Sequence, residues 1–162
     1  MVESIENKVI QSLNATKELY YRLVLLVGKS SPDKTSVIQK LAKQYKTDPI
    51  NVSLYLSKEL FNLNLKQRQL KLSKILAQLL NNKGEIVFLD NIEILFSVEL
   101  KQDPLRLLQG LSRNFTLVVS WDGDFDKGKL TYSEPEHSEY KSYNSIDALI
   151  VNTNGDTIIN FK

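Results

Sequence analysis

A short polar segment that follows an apolar run has the residue types of a phosphate-binding loop. The run covers residues 23–27, and the segment after it reads, in order, Gly28, Lys29, Ser30, Ser31, Pro32, Asp33, Lys34 and Thr35. This is close to G-x-x-x-x-G-K-[ST], in which backbone N–H groups surround an anion, the lysine contacts the β- and γ-phosphates and the hydroxyl binds Mg²⁺. The spacing predicts that residues 28–35 bind ATP, and that Thr35 is a ligand of its Mg²⁺.

Asp33 departs from this pattern, because the pattern has glycine at that position. Aspartate tolerates left-handed backbone angles better than most residues, so the loop can still form. Its carboxylate would nevertheless lie near a polyphosphate and repel it. We therefore expect nucleotide affinity to be weakened by Asp33.

A second acidic motif follows the apolar residues 86–89. Asp90 comes directly after them, which resembles a Walker B strand whose aspartate orients Mg²⁺. Many ATPases place a glutamate next, as the base that activates water. Here that residue is Asn91, which cannot accept a proton, and Glu93 is the nearest carboxylate. Asp90 and Glu93 are therefore the candidate catalytic residues, although position 93 is also typical of a surface acid or of the start of a helix. Hydrolysis, if it occurs, should be slow.

Ser120 follows another apolar run, residues 115–119, where a polar sensor of the γ-phosphate would stand. An ordinary serine at the end of a strand is an equally good interpretation. The nearby segment 122–126 imitates the start of an EF-hand loop, but Lys127 occupies the position where that loop needs glycine. We expect a solvated loop there.

Basic and acidic residues are unevenly distributed along the chain. Residues 29–83 contain eleven Lys and Arg and three acids, whereas residues 84–162 contain seven Lys and Arg and thirteen acids. Four of the cations lie on or near one predicted helix, namely Lys66, Arg68, Lys71 and Lys74. They are either a solvated face or a contact for the phosphate backbone of DNA.

The pattern of apolar residues predicts the elements that position these motifs. Apolar spacing predicts helices over residues 2–16, 37–45 and 72–80, and Asp103 with Pro104 starts another. Apolar or mostly apolar segments predict strands at 23–27, 86–89, 115–119 and 149–151, with an edge strand from 157 after an Asn154-Gly155 turn, and residues 50–54 are a further plausible strand. Alternating strands and helices predict an α/β fold with a doubly wound, mainly parallel five-stranded sheet. Together with the motifs, this indicates an additional-strand, AAA-like P-loop NTPase core.

Length and composition agree with one domain of this kind. The 162 residues divide into an N-terminal helix (1–20), a core (21–152) and a terminal turn with an edge strand (153–162). The chain contains no cysteine and one histidine, which excludes disulfides and thiol nucleophiles. Apolar runs stop at about six residues, far short of the ~20 that span a bilayer, so we expect a cytoplasmic protein without a membrane contact.

The order of these segments resembles the BrxF family of small P-loop-containing proteins in BREX bacteriophage-defence systems. The resemblance extends from about residue 23 to 151 and rests on the phosphate-binding loop and on segments 51–63, 89–93, 104–113, 119–121 and 130–132. It implies a role in bacterial antiviral defence beside other BREX components, which include a DNA methyltransferase and larger ATPases. Asp33 departs from the P-loop that such a protein is expected to have.

Two functions remain open from the sequence. One is an ATP-responsive switch with weak ATPase activity, in which Lys34, Thr35 and Asp90 hold ATP and Mg²⁺ and binding alters assembly or DNA contact. The other is a degenerate P-loop scaffold that binds DNA or partner proteins without nucleotide. About a dozen residues follow the fifth strand, which is too few for a helical lid, so we also expect a homo-oligomer or a hetero-complex in which a neighbour covers the nucleotide.

Overall fold

The structure, a computed structural model, describes residues 4–29, 31–81, 83–153 and 157–159. The helices of this part are α1 (Ile5–Thr16), α2 (Ser31–Gln44), α3 (Val52–Leu60), α4 (Leu65–Leu80) and α5 (Pro104–Leu111). Its strands are β1 (Leu23–Gly28), β2 (Ile50–Asn51), β3 (Ile86–Asp90), β4 (Thr116–Asp126), β5 (Lys129–Tyr132), β6 (Lys141–Tyr143), β7 (Leu149–Asn152) and β8 (Thr157–Ile159). Two 3₁₀ turns, Glu93–Phe96 and Val98–Leu100, connect β3 to α5.

Five parallel strands form the centre of the sheet in the order β2-β3-β4-β1-β7. β4 lies between β1 and β3, with Val119 beside Leu25 on one side and beside Leu89 on the other. β8 pairs with β7 in the antiparallel direction at one edge. The prediction of an α/β fold with a mainly parallel sheet is thus confirmed.

Both faces of the sheet are covered because the central strands contain continuous apolar runs, such as residues 23–27 of β1. In β1, Leu23, Leu25 and Val27 pack on one side, with α3, α4, α5 and the 3₁₀ turns. Val24 and Leu26 pack on the other side, with α1 and α2. Continuous apolar runs of this kind are typical of parallel strands between two layers of helices.

Side-chain caps set the starts of several helices. Asn64 accepts a hydrogen bond from the Gln67 backbone N–H, while the Gln67 side chain accepts one from the Asn64 N–H, so a capping box begins α4. The Asp103 side chain caps α5 by accepting a hydrogen bond from the Arg106 N–H, and Pro104 occupies the first turn as predicted. These caps satisfy N–H groups that have no partner inside the helix.

The structure corrects two predicted elements. The strand expected at 50–54 contains only Ile50 and Asn51, because the Asn51 side chain accepts a hydrogen bond from the Leu54 N–H and thereby caps α3. The loop expected at 122–126 is the second half of β4, which extends beyond the parallel sheet and pairs with β5. β5 pairs in turn with β6, so an antiparallel extension projects from the centre of the sheet.

Some predicted features lie outside the described residues. These are Ser30 of the predicted phosphate-binding loop, the first two residues of the helix expected at 2–16, the Asn154-Gly155 turn and the end of the last strand. Within the described part, no helix is both long enough and apolar enough to cross a membrane.

Candidate functional site

The start of α2 and the end of β3 meet at the edge of the sheet where the parallel strands end. There the Thr35 hydroxyl donates a hydrogen bond of 2.7 Å to Asp90 Oδ2, and the Asn91 backbone N–H donates one of 2.9 Å to Asp90 Oδ1. Asp90 is 8% exposed, so these two bonds fix a nearly buried carboxylate. The structure therefore joins the two residues that the sequence assigned to Mg²⁺, although they are 55 positions apart.

Lys34 lies in the floor of this site and is completely buried. Its ammonium donates to the Gly28 carbonyl oxygen at 2.6 Å and to the Trp121 carbonyl oxygen at 3.2 Å. It also donates to the carboxylate of Asp122, with which it forms an ion pair. Because an ammonium has three N–H donors, these three acceptors satisfy all of them.

The loop predicted over residues 28–35 is shorter in the structure. β1 ends at Gly28 and α2 begins at Ser31, three residues before Lys34. Pro32 and Asp33 explain this start, because proline suits the first turn of a helix and an acid there is stabilised by the helix dipole. Pro32 and Asp33 are exposed in this first turn, and Lys29, which precedes it, is exposed as well. The backbone around Lys34 is thus helical rather than wrapped around an anion.

Glu93 belongs to the site, although its position in the sequence is also typical of a surface acid. Ser53 at the start of α3 donates from its hydroxyl to Glu93 Oε2 at 3.2 Å and accepts a bond from the Ile94 N–H at 3.1 Å. The Ser53 N–H donates to the Asn91 carbonyl at 2.8 Å. Asn91 itself has a φ of 53°, a left-handed conformation that asparagine tolerates. This turn directs the Glu93 carboxylate back toward the sheet.

Glu93 and Asp122 are neighbours, and their proximity affects the pKa of Glu93. Burial raises the pKa of Glu93 above its ordinary value of 4.5, and the charge of Asp122 raises it further. Tyr132 lies beside both acids, and its pKa is raised by burial and by the charges of Glu93, Asp122 and Glu139. The site therefore contains a pair of acids beside one buried ammonium, and an excess of negative charge disfavours a polyphosphate.

Phe96, Trp121 and Tyr132 form an aromatic cluster next to the site. The Phe96 and Tyr132 rings stack with centroids 3.4 Å apart and planes 4° apart, and Trp121 meets both rings edge-on. The Trp121 indole N–H donates to the Thr131 carbonyl at 2.9 Å, which connects β4 to β5. These contacts hold the strand that carries Asp122.

A cavity of about 240 Å³ opens beside Asp122, between Lys29, which follows β1, and the antiparallel extension. Thr131, Ser133 and Tyr140 are among the residues that line it. Lys29 and Glu134 face each other across it at 3.8 Å, and both side chains are more than 60% exposed. The cavity gives solvent access to the partly exposed carboxylate of Asp122.

Ser120 lies two residues before Asp122 on β4 and is 5% exposed. It is not at the end of its strand as predicted, because β4 continues to Asp126. It pairs in register with Leu26 of β1, within the parallel part of the sheet. Both interpretations of this serine, as a sensor or as a structural residue, remain predictions.

The four cations proposed for nucleic acid differ in what surrounds them. Lys66, Lys71 and Lys74 are exposed on α4. Arg68 instead donates from Nε to the Leu60 and Leu63 carbonyls at 3.0 and 2.9 Å, and from Nη2 to the Phe61 carbonyl at 3.3 Å. Its guanidinium satisfies carbonyl groups at the end of α3 and holds α3 to α4. Arg68 is thereby a structural residue, and the three lysines are the part of this set that is open to a phosphate.

Sequence reasoning missed Asp122 and Ser53. Asp122 falls in the segment where a loop is expected, although residues 122–126 alternate between acids and the buried Gly123 and Phe125, as a strand does. The following Lys127 and Gly128 have φ values of 50° and 78°, as a two-residue hairpin turn requires. Ser53 has no comparable signal, because its partner Glu93 is 40 residues away.

Compared with known proteins, the chain matches no family model, no curated protein and no solved structure.

Proposed function

We propose that this protein is a P-loop nucleotide-binding component of a bacterial BREX antiviral defence system and acts as an ATP-responsive switch. The observation that carries the proposal is the 2.7 Å hydrogen bond between Thr35 and Asp90. A hydroxyl at the start of the helix after β1, bonded to an acid at the end of β3, is the pair that P-loop proteins use to hold Mg²⁺. Core packing does not require these two polar groups to meet at this edge.

The strand order supports the same class of protein. β4 lies between β1 and β3, which is the arrangement of the additional-strand P-loop NTPases. Ligands of open α/β sheets bind outside the carboxyl ends of the strands, and Thr35, Asp90 and Lys34 lie at that edge. The donors present fit Mg²⁺ and a phosphate group, because Thr35 and Asp90 supply hard oxygen ligands and Lys34 already holds an anionic carboxylate.

Each residue has a defined part in this proposal. Bound ATP with Mg²⁺ supplies a phosphate that water can attack. Thr35 and Asp90 would hold the Mg²⁺, and Lys34 would contact the phosphates. Glu93 is the carboxylate that accepts a proton, because Asn91 cannot. Since Glu93 already accepts a hydrogen bond from the Ser53 hydroxyl, we expect weak or slow hydrolysis.

The role in defence rests on the resemblance to BrxF. Under this proposal the protein works in the cytoplasm, with other BREX components as partners, and nucleotide changes its assembly or its contact with DNA. The exposed lysines Lys66, Lys71 and Lys74 are the part of α4 that we assign to the DNA backbone.

A degenerate P-loop scaffold is the second candidate, and a specific observation favours it. The Lys34 ammonium has all three donors satisfied within the chain, and α2 begins three residues before it. With Asp33 in the first turn, this arrangement maintains the site without a phosphate. The scaffold would bind DNA or partner proteins in the absence of nucleotide.

A calorimetric titration of ATP, with and without Mg²⁺, separates the two candidates. We expect the wild type to bind ATP with Mg²⁺ and to bind more weakly when the metal is removed. Thr35→Ala should weaken binding with Mg²⁺ by roughly tenfold, because it removes a metal ligand. Ser36→Ala is the matched control, since it removes an exposed hydroxyl from the next position of α2 and should bind like the wild type. Absence of ATP binding to the wild type would favour the scaffold.

A further inference from the structure

The ammonium of Lys34 already holds an anion, and that anion is part of the protein. In a nucleotide-bound P-loop, the lysine contacts phosphate oxygens. Here the Asp122 carboxylate contacts it, and the carbonyls of Gly28 and Trp121 take the remaining two donors. A phosphate oxygen and this carboxylate oxygen would therefore compete for the same N–H group, because none of the three donors is unused.

The backbone holds Asp122 in a fixed place opposite the phosphate-binding segment. Asp122 pairs in register with Gly28, the last residue of β1, and its carbonyl accepts a hydrogen bond of 3.1 Å from the Ser133 N–H. The neighbouring Gly123 allows this fit, because a Cβ at that position would collide with the Thr131 carbonyl. The main chain is thus fixed on both sides, and movement of the carboxylate is confined to its own side-chain rotation.

Space for a second position of the Asp122 carboxylate lies next to the ion pair. The Asp122 side chain is 31% exposed and faces the 240 Å³ cavity, whereas Lys34 is fully buried. Rotation toward this cavity would place the carboxylate in solvent, so Asp122 would remain hydrated after it leaves the ammonium.

We infer that Asp122 is an internal substitute for phosphate: it occupies Lys34 in the resting protein, and a nucleoside triphosphate binds by exchanging a phosphate oxygen for this carboxylate. The inference rests on the proposed function and extends it, because it names the residue that sets nucleotide affinity. It also explains how a P-loop lysine can be fully buried in the resting protein and still bind a phosphate. The ATP concentration at which the switch responds would then depend on the strength of the ion pair between Lys34 and Asp122.

Removal of the Asp122 charge tests this inference by calorimetry with ATP and Mg²⁺. Asp122→Asn should bind ATP roughly tenfold more tightly than the wild type, because the charge-assisted bond that competes with phosphate is removed. Asp124→Asn is the matched control, since it removes the same charge from an exposed position two residues further along β4. The affinity of Asp124→Asn for ATP should stay close to that of the wild type. If both variants gained affinity equally, general electrostatics would explain the gain and the inference would be wrong.

The outcomes also separate this inference from the proposed function. Wild type that binds ATP, together with Asp122→Asn that binds no more tightly, would overturn the inference and leave the function in place. Wild type that does not bind, together with Asp122→Asn that does, would support the inference. If neither binds, both proposals fall. Thermal melting checks that each variant is folded, and Asp122→Ser provides a second uncharged side chain with the same expected gain if Asp122→Asn does not fold.

Discussion

Lys34 connects two strands through a single buried charge. Its ammonium bonds to the carbonyl of Gly28 at the end of β1 and to Trp121 and Asp122 on β4. The sequence alone assigns this lysine to nucleotide only, which implies that its removal would affect binding and leave stability unchanged. The contacts indicate that it contributes to both.

Replacement of Lys34 should therefore lower stability as well as nucleotide affinity. Lys34→Met keeps most of the buried volume but removes the charge, and the free energy of unfolding should fall by roughly 2–4 kcal/mol, between the cost of an unsatisfied buried polar group and that of a broken buried ion pair. Lys29→Met is the control, because that side chain is 70% exposed and meets Glu134 only at 3.8 Å. Urea unfolding measures both variants, and equal stability of the two would contradict a structural role for Lys34.

Glu93 gives stability a dependence on pH with a defined sign. Because its pKa is raised above 4.5 in the folded protein, the folded state holds this proton at pH values where the unfolded state has released it. The contribution of Glu93 to stability is therefore present at low pH and is lost as pH rises above 4.5 through the folded pKa. Glu93→Gln, which does not titrate, should show a smaller loss of stability over that range.

The measurement is urea unfolding at several pH values from about 4 to 8, a range that brackets the ordinary carboxyl pKa. Glu99→Gln is the control, because Glu99 is an exposed acid in the second 3₁₀ turn and its replacement should leave the wild-type pH dependence unchanged. If Glu93→Gln retained the full wild-type decline, the shifted carboxyl of Glu93 would not be its source.

At the scale of elements, α4 presents two different kinds of cation. Arg68 donates hydrogen bonds to the carbonyl groups at the end of α3, whereas Lys66, Lys71 and Lys74 are exposed. Binding to DNA should depend on the lysines, because each phosphate that a lysine neutralises releases a counterion and makes affinity fall with salt. Arg68→Ala should instead lower stability, since it removes several hydrogen bonds to carbonyls.

The triple variant Lys66→Ala, Lys71→Ala and Lys74→Ala should weaken binding to duplex DNA and reduce its salt dependence. The slope of log affinity against log salt should become shallower by about 0.9 for each phosphate that the variant no longer neutralises. A second triple variant, Lys127→Ala, Lys129→Ala and Lys141→Ala, removes the same charge from exposed positions on the antiparallel extension and serves as the control. Fluorescence anisotropy measures both. An equal decrease in affinity for the two variants would contradict DNA binding by α4.

Elements that depend on local pattern could be predicted, and those that depend on distant partners could not. The apolar runs of β1, β3 and β7 and the Asp103-Pro104 start of α5 need only neighbouring residues, and all four are present. β2 ends early because Asn51 caps a helix, although apolar residues continue to alternate with polar ones up to Leu54. β4 is longer than predicted because its acidic half, whose composition is typical of a loop, pairs with β5 and is exposed at its acidic positions 124 and 126.

The same division applies to the site. Thr35 and Asp90 could be paired in advance, because both follow strands of one parallel sheet and strand ends meet at one edge. The ion pair between Lys34 and Asp122 could not, because it joins residues 88 positions apart and depends on the register of β1 with β4. The start of the helix at Ser31 depends on Pro32, which the loop pattern treats as a variable position, and on Asp33, which replaces the glycine of that pattern.

At the scale of the whole molecule, the separation of charge along the sequence predicts assembly that depends on salt. The basic segment 29–83 and the acidic segment 84–162 favour contact between copies or with a charged partner. Light scattering from about 0.05 to 0.5 M salt should show a larger species that dissociates as screening increases. Duplex DNA should compete with this species. A monomer at every salt concentration, with and without ATP, would contradict the expected assembly.

The central claim is that ATP with Mg²⁺ binds at Lys34, Thr35 and Asp90, and Trp121 allows one direct measurement of it. Trp121 is the only tryptophan of the chain, and its carbonyl accepts a hydrogen bond from Lys34. A titration of the wild type with ATP and Mg²⁺ should therefore give a saturable change in Trp121 fluorescence. Thr35→Ala should need roughly tenfold more ATP to reach it, and adenosine should produce none. A wild-type signal that stays flat up to millimolar ATP, or that responds equally to adenosine, would contradict the claim.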